Sequence, residues 1–331
     1  FTGFITDVGG LAVGNAEDHR LKTGVTVVVC DKPATAAVQV LGGAPGTTET
    51  DLLEPHNMVQ HVDAFVLSGG SSFGLDATAG VRAALREKGI GFDVRGMKVP
   101  IAPGAILFDL INGGEKDWGL HPPYRELGYE AANAAAREFA LGTAGAGTGA
   151  MTAGLKGGLG SASTLLPDGI TVGALVAVNA VGSTTMGTAP HFWAAPFEIG
   201  REFGGLGLPS TSPADAADVR FKFRDALAGA NTTIAVIATD AMLTKAATKR
   251  LAISAHDGFT RAIWPAHTPA DGDLVFALAT GTSGLDLSIE AAIDLYAVAG
   301  ATMARAIARA VHSAMPAAND LFPTWSQRHA K

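Results

Sequence analysis

The sequence predicts a mixed α and β fold of the α+β class. Six apolar runs are rich in Val, Ile and Thr, and most are bounded by Gly, Asp or Pro, the pattern of strands. Four stretches carry helical spacing. The two kinds of element follow one another without the strict alternation of a simple parallel sheet. In chain order, strands are expected over Gly24–Cys30, Ala37–Leu41 and Ala64–Ser68. A helix over Leu75–Glu87 follows a Gly-rich turn, and an Ala-rich helix is expected over Glu130–Leu141. A strand comes next at Ile170–Val181. Residues 200–230 hold several Gly and Pro and mixed charges with no strong period, so they read as a surface connector. The connector meets a strand at Thr233–Thr239. A helix over Thr244–Ile263 has Thr244 as N-cap and Ala247, Leu251, Ala255 and Phe259 along one face. Leu274–Thr280 is the last strand. The final helix, Ser288–Met315, stops at Pro316, and its small, apolar surface predicts burial between layers or against another subunit.

The chain has 331 residues, 47% hydrophobic and 17% charged, enough apolar material for one large core or two ordinary ones. Aromatics are only 7%, so the core is expected to rest on Ala, Val, Leu and Ile. The net charge of −7 argues against nucleic acid as a partner, because neutralising phosphates needs clustered Lys and Arg. The local basic clusters, 245–250 and the Arg305/Arg309 pair, read as solvated helix faces. Cys30 stands alone, cannot form an internal disulfide, and reads as a small buried hydrophobe. No run approaches the about 18 uncharged apolar residues that a membrane span needs. No signal peptide is visible, and a cytoplasmic location is the expectation.

The informative segment is Gly229-Ala230-Asn231-Thr232-Thr233-Ile234, where the connector enters a strand. A Thr at such a position carries its hydroxyl close to its own backbone nitrogen. If the preceding peptide bond is broken, the freed α-amine can serve as base for that hydroxyl. With a reference pKa of about 7.7–8.0, against about 10.4 for Lys, it is the better base near neutral pH. Propensity alone would not pick this site: the local pattern by itself reads as a loop entering a buried strand, with Asn231 ending a turn, and Asn231-Thr232-Thr233 also matches the N-glycosylation pattern.

Longer motifs carry more weight. They are Thr23-Gly24-Val25-Thr26-Val27, the run from Gly42 to Asp51 (GGAPGTTETD), and the run from Leu67 to Asp76 (LSGGSSFGLD). Further on come the run from Lys156 to Ser163 (KGGLGSAS), Val178-Asn179-Ala180-Val181-Gly182, and the Asn231-Thr232 junction. Over nearly its whole length the chain resembles the family of L-aminopeptidase/D-esterases and β-aminopeptidases, which also holds the 6-aminohexanoate (nylon) oligomer hydrolases. The resemblance implies a four-layer αββα sandwich like that of N-terminal-nucleophile hydrolases, with its own connectivity. It implies self-cleavage into residues 1–231 and 232–331, with Thr232 as nucleophile on amides or short peptides. It also implies a homotetramer of processed pairs and no cofactor. Asn179 matches the family's oxyanion-stabilising Asn, and Lys156 matches an active-site Lys. Asp271 and Asp273 lie 39 and 41 residues after Thr232 (271 − 232; 273 − 232), which resembles the oligomer-hydrolase branch, where both carboxylates help orient the nucleophile. Asp271-Gly272-Asp273 on its own reads as a turn, or less readily as a hard-cation site. Gly70 and Ser71 are expected to line the substrate pocket. Phe108 stands where some members place a Tyr near the oxyanion, so that hydroxyl is missing.

Two other motifs compete. Gly70-Ser71-Ser72-Phe73-Gly74 fits the nucleophile elbow of a serine esterase, with Ser72 as nucleophile. Gly145-Ala146-Gly147-Thr148-Gly149-Ala150 matches a dinucleotide-binding pattern, although a helix and not a strand is expected before it. A non-catalytic binding protein of the same fold is the remaining alternative.

Overall fold

A computed structural model describes residues 1–223 and 231–329. The strands are β1 (Leu11–Asp18), β2 (Thr23–Val40), β3 (Thr47–Thr48), β4 (His61–Ser68), β5 (Phe92–Val94), β6 (Met97–Val99), β7 (Gly104–Ile106), β8 (Met151–Thr152), β9 (Leu155–Lys156), β10 (Gly158–Leu165), β11 (Thr171–Asn179), β12 (Thr232–Thr239) and β13 (Leu274–Ala279). The helices are α1 (Ala77–Glu87), α2 (Tyr124–Asn133), α3 (Lys245–Thr260), α4 (Ile289–His312) and α5 (Trp325–His329). Nine strands form one hydrogen-bonded path, β10-β11-β12-β13-β2-β4-β7-β3, with β1 on β2. Among the described strands, β12–β13 and β4–β7 are the parallel pairs, and an Asn231–Asp271 bridge extends the first.

The path is folded on itself. Val28 and Val38 of β2 stand opposite Phe65 of β4 and Phe276 of β13, respectively. On a straight strand those two valines would be roughly 33 Å apart. Yet the rings of Phe65 and Phe276 stack with centroids 4.2 Å apart. A register shift between Val29 and Ala34 marks where β2 bends. Three cores result. Alternate residues of β12 show the division: Ile234, Val236 and Ala238 face the inner core between the two halves of the sheet, while Ala235 and Ile237 face α3 and α4. On the other side Val25, Val27, Ala64 and Val66 pack against α1 and α2. The layers are therefore helix, sheet, sheet, helix, the αββα order expected, with the two sheets joined through β2.

Several boundaries differ from expectation, each for a tertiary reason. The two predicted strands at Gly24–Cys30 and Ala37–Leu41 are one bent strand. The predicted Ala-rich helix ends at Asn133, because Ala136 exchanges backbone hydrogen bonds with Val13 at the edge of β1. Strand β10 was hidden by its glycines: a Cβ on Gly160 would lie 2.0 Å from the Ala306 carbonyl oxygen of α4. The N-cap falls as read, with Thr244 Oγ1 accepting from the Ala247 N–H. Helix α4 is long and apolar enough to cross a membrane by length and composition, but one face, Leu295 to Val311, is buried on the sheet. The basic clusters are solvated faces only in part: Arg250 is exposed, but the other basic residues are buried or half-buried. Lys245 is buried and donates to the carbonyls of Leu52, Asn57 and Val59, and Arg305 is buried against Glu202 and the Ser163 carbonyl. Cys30 is buried, and burial pushes its thiol well above the ordinary range. The end of the connector, 224–230, lies outside the described residues.

Candidate active site

Thr232 opens β12, the strand between β11 and β13. Asn179, the last residue of β11, stands directly opposite it in an antiparallel pair, which puts both side chains on the same face. Both are fully buried. The chain is already extended at Asn231, whose N–H donates to the Ala270 carbonyl at 3.0 Å. The Asn231 carbonyl oxygen accepts two hydrogen bonds, from the Gly272 N–H at 2.8 Å and from Thr232 Oγ1 at 2.6 Å. The junction is thus clamped beside residues 270–272, with the Thr hydroxyl turned back on the carbonyl before it.

Asp271 and Asp273 flank Gly272 and brace this clamp. Asp273 Oδ1 accepts from the Thr233 N–H at 2.8 Å, and its Oδ2 accepts from the His267 N–H and contacts His267 Nδ1. Asp271 Oδ1 accepts from the Val181 N–H at 3.1 Å, and its Oδ2 accepts from the N–H and hydroxyl of Thr268. All four oxygens thus accept hydrogen bonds from the protein, and these hold the 267–273 turn against the two strands. Both carboxylates meet backbone N–H groups on either side of the Thr232–Asn179 pair, and among the described residues neither is hydrogen-bonded to the Thr232 or Asn179 side chain. Burial, helped by the neighbouring Asp273, pushes Asp271 up to about 6. The Gly42-Gly43 motif backs this turn: a Cβ on Gly42 would lie 2.2 Å from the Asp273 nitrogen.

The two lysines divide differently from expectation. Lys156 is buried, but its ammonium donates to the Met315 carbonyl and pairs with Asp320 at 2.9 Å. The residue beside Asn179 is Lys222, which the sequence reading missed. Its Nζ donates to the Met151 carbonyl at 2.7 Å and to Asn179 Oδ1 at 2.9 Å. Burial pulls this ammonium down to about 7, against the opposing pull of Asp271 and Asp109. The one signal available in the sequence was a lysine between two phenylalanines, Phe221 and Phe223. Asn179 Nδ2 donates to the Phe108 carbonyl at 2.8 Å, so Phe108 meets the site through its backbone. The next residue, Asp109, was also missed. It is buried, its Oδ1 accepts from the Gly70 N–H at 2.8 Å, and its Oδ2 accepts from the Thr23 hydroxyl.

The model of peptidase family S58 matches residues 4–324. The chain belongs to that family. An uncharacterized aminopeptidase of Mycobacterium tuberculosis is 42% identical over 342 residues, covering 96% of this chain and 98% of its own. A 6-aminohexanoate-oligomer endohydrolase of Kocuria sp. is 29% identical over 291 residues, covering 83% of this chain and 74% of its own. Among solved structures, a β-aminopeptidase of Burkholderia sp. superposes with a TM-score of 0.70 at 24% identity, covering 99% of this chain and 92% of its own. The L-aminopeptidase D-Ala-esterase/amidase of Ochrobactrum anthropi, described as a variant of the N-terminal-nucleophile hydrolase fold, gives 0.69 at 22%, covering 95% and 88%. At these identities the two structures speak for the fold. Family and relatives together make this S58 chain an amide-bond hydrolase of the aminopeptidase and amidase class.

The competing motifs have other places in this S58 chain. In the turn after β4 the left-handed residues are Gly70 (φ 87°) and Ser71 (φ 52°), not Ser72. A Cβ at Gly70 would fall 2.1 Å from the Tyr124 ring, and the Ser71 N–H donates to the Leu107 carbonyl. Ser72 is exposed, and among the described residues its hydroxyl bonds to no histidine or carboxylate. The glycines at 145, 147 and 149 are filled from the protein side: Cβ atoms there would meet Thr26 Oγ1 at 2.2 Å, the Leu159 nitrogen at 2.1 Å and the Lys22 carbonyl oxygen at 1.9 Å. They serve close packing: a single three-residue 3-10 turn, Gly145–Gly147, lies there and runs on to a strand, with no α-helix following it to receive a pyrophosphate.

Proposed function

We propose that this S58 hydrolase processes itself between Asn231 and Thr232, and that Thr232 is then the N-terminal nucleophile for short peptide and amide substrates. The observation that supports this most directly is the Thr232 hydroxyl lying 2.6 Å from the carbonyl oxygen of the residue before it, an oxygen also bonded by the Gly272 N–H. In the first stage Thr232 Oγ1 attacks the Asn231 carbonyl carbon. Negative charge develops on the oxygen already facing the Gly272 N–H, a donor of the kind whose removal costs roughly 3–4 kcal/mol in other acyl transfers. The C–N bond breaks, the Thr232 nitrogen takes a proton, and an ester links Asn231 to Thr232. Water hydrolyses the ester to the Asn231 carboxylate and the free Thr232 amine. In the second stage that amine accepts the hydroxyl proton, and Oγ1 attacks the substrate carbonyl. The amine leaving group takes the proton back, and water releases the acyl group. Asn179, opposite Thr232, has a second amide N–H to offer the oxyanion. Asp271 and Asp273 hold the strands on either side, and Lys156, held by Asp320 in the uncut chain, is assigned no step.

The products would be residues 1–231 and 232–331, staying together across the β11–β12 ladder, and a homotetramer of such pairs is the assembly we propose. The names of the relatives favour aminopeptidase substrates, with 6-aminohexanoate oligomers as the second class to test. Intact mass and denaturing electrophoresis of purified protein should show two fragments. Thr232→Ala should give one uncut chain without hydrolase activity, and Ser72→Ala should change neither. A cut, active Thr232→Ala protein would overturn the proposal.

A further inference from the structure

We infer that Lys222, carried on the connector that leads to the junction, is a positioning residue that fixes the side-chain amide of Asn179 for acyl transfer at Thr232. The inference rests on the reading of Thr232 as nucleophile.

An Asn side chain is nearly symmetric in shape, so its oxygen and nitrogen are placed by their partners. Asn179 Oδ1 accepts from two donors, the Met151 N–H at 3.0 Å and Lys222 Nζ at 2.9 Å. That fills both lone pairs and turns Nδ2 the other way, where one N–H donates to the Phe108 carbonyl. The second N–H is then the side-chain donor available on the Thr232 side of the ladder. Of the two groups holding Oδ1, the Met151 N–H belongs to the two-residue strand β8. Lys222 steadies that partner as well, because the same ammonium donates to the Met151 carbonyl. It also reaches the Asn179 carbonyl at 3.4 Å, and its own N–H donates to the Val181 carbonyl. One buried side chain therefore ties together the amide, its other partner and the end of β11.

A buried ammonium is a poor way to stabilise a fold. Its desolvation works against the native state, and a methionine of similar length would not carry that cost. The position is explained by what Lys222 holds in place. It also makes the connector part of the processing machinery.

The test measures self-cleavage of the full chain after cell-free synthesis, followed by denaturing electrophoresis, alongside the melting temperature. Lys222→Met is expected to keep or raise the melting temperature while slowing cleavage by about tenfold to a hundredfold, less than the roughly hundredfold to thousandfold cost of losing an oxyanion donor outright, because the Asn179 amide is misplaced and not removed. Lys222→Arg, which keeps a cationic donor, is expected to recover part of that rate. In an Asn179→Ala chain, adding Lys222→Met should cause no further loss, because the two act as one unit. Wild-type cleavage by Lys222→Met, or an effect fully additive to that of Asn179→Ala, would overturn the inference. So would a slowing matched by a lower melting temperature in both Lys222 variants, which would mark a merely structural residue. Cleavage of Thr232→Ala would instead remove the reading beneath it.

Discussion

Replacing Gly272 with Ala adds one methyl group and removes no chemical group, yet it should stop processing. The backbone of Gly272 is not in the left-handed region, so alanine is conformationally allowed there. Space forbids it. An ideal Cβ would lie 2.6 Å from Thr232 Oγ1 and 2.6 Å from the Ala44 carbonyl oxygen. Ordinary contact begins near 3.4 Å, so each neighbour is about 0.8 Å too close (3.4 − 2.6). The Ala44 oxygen cannot retreat easily, because Ala44 is tied to the turn through its N–H bond to the Asp271 carbonyl at 2.8 Å. The Thr232 hydroxyl must therefore move, or the Gly272 N–H must leave the Asn231 carbonyl. A displacement of about 1 Å at a reacting group can cost roughly a hundredfold in rate. The steric strain in the fold is smaller, about 1–3 kcal/mol, which lowers the melting temperature by only a few degrees in a chain of this size. The assay is a time course of fragment appearance after cell-free synthesis, with the melting temperature as a check on folding. A folded Gly272→Ala chain that cleaved at the wild-type rate would refute the proposed geometry of attack.

Two further outcomes follow from the same residues. Thr233 Oγ1 is buried and among the described residues has no hydrogen-bond partner. Thr233→Val should therefore stabilise the protein by about 1 kcal/mol and leave cleavage intact; an uncut Thr233→Val chain would move the nucleophile to the wrong threonine for this account. Asp271, raised to about 6 in the folded protein, has an unfolded value of about 3.9. The native state holds that proton more tightly, so this group's contribution to stability is full below about pH 4 and is lost as the pH rises to about 6. The melting-temperature difference, wild type minus Asp271→Asn, should fall across that window; a difference that grew with pH would contradict the burial argument.

Strand and helix periodicity, the N-cap at Thr244 and the Asn231-Thr232 junction were legible because each is a local property of consecutive residues. Glycine-rich motifs were visible too, but their purpose was not. Gly160 marks where a helix crosses a strand, and Gly42 and Gly272 mark where backbones close on a carboxylate turn and on the Thr232 hydroxyl. The same limit explains the lysines. Lys156 sits in a conspicuous motif, and Lys222 sits in a connector without pattern, yet the fold gives Asn179 to Lys222 and Asp320 to Lys156. Spacing of 39 and 41 residues could mark Asp271 and Asp273 without saying what they touch. The sequence alone thus determined the class of fold, the place of the junction and the residue types gathered around it. Which groups meet was decided by the bend in β2 and the β11–β12–β13 ladder, because contacts between residues tens of positions apart depend on register and burial, and neither is a local property of the chain.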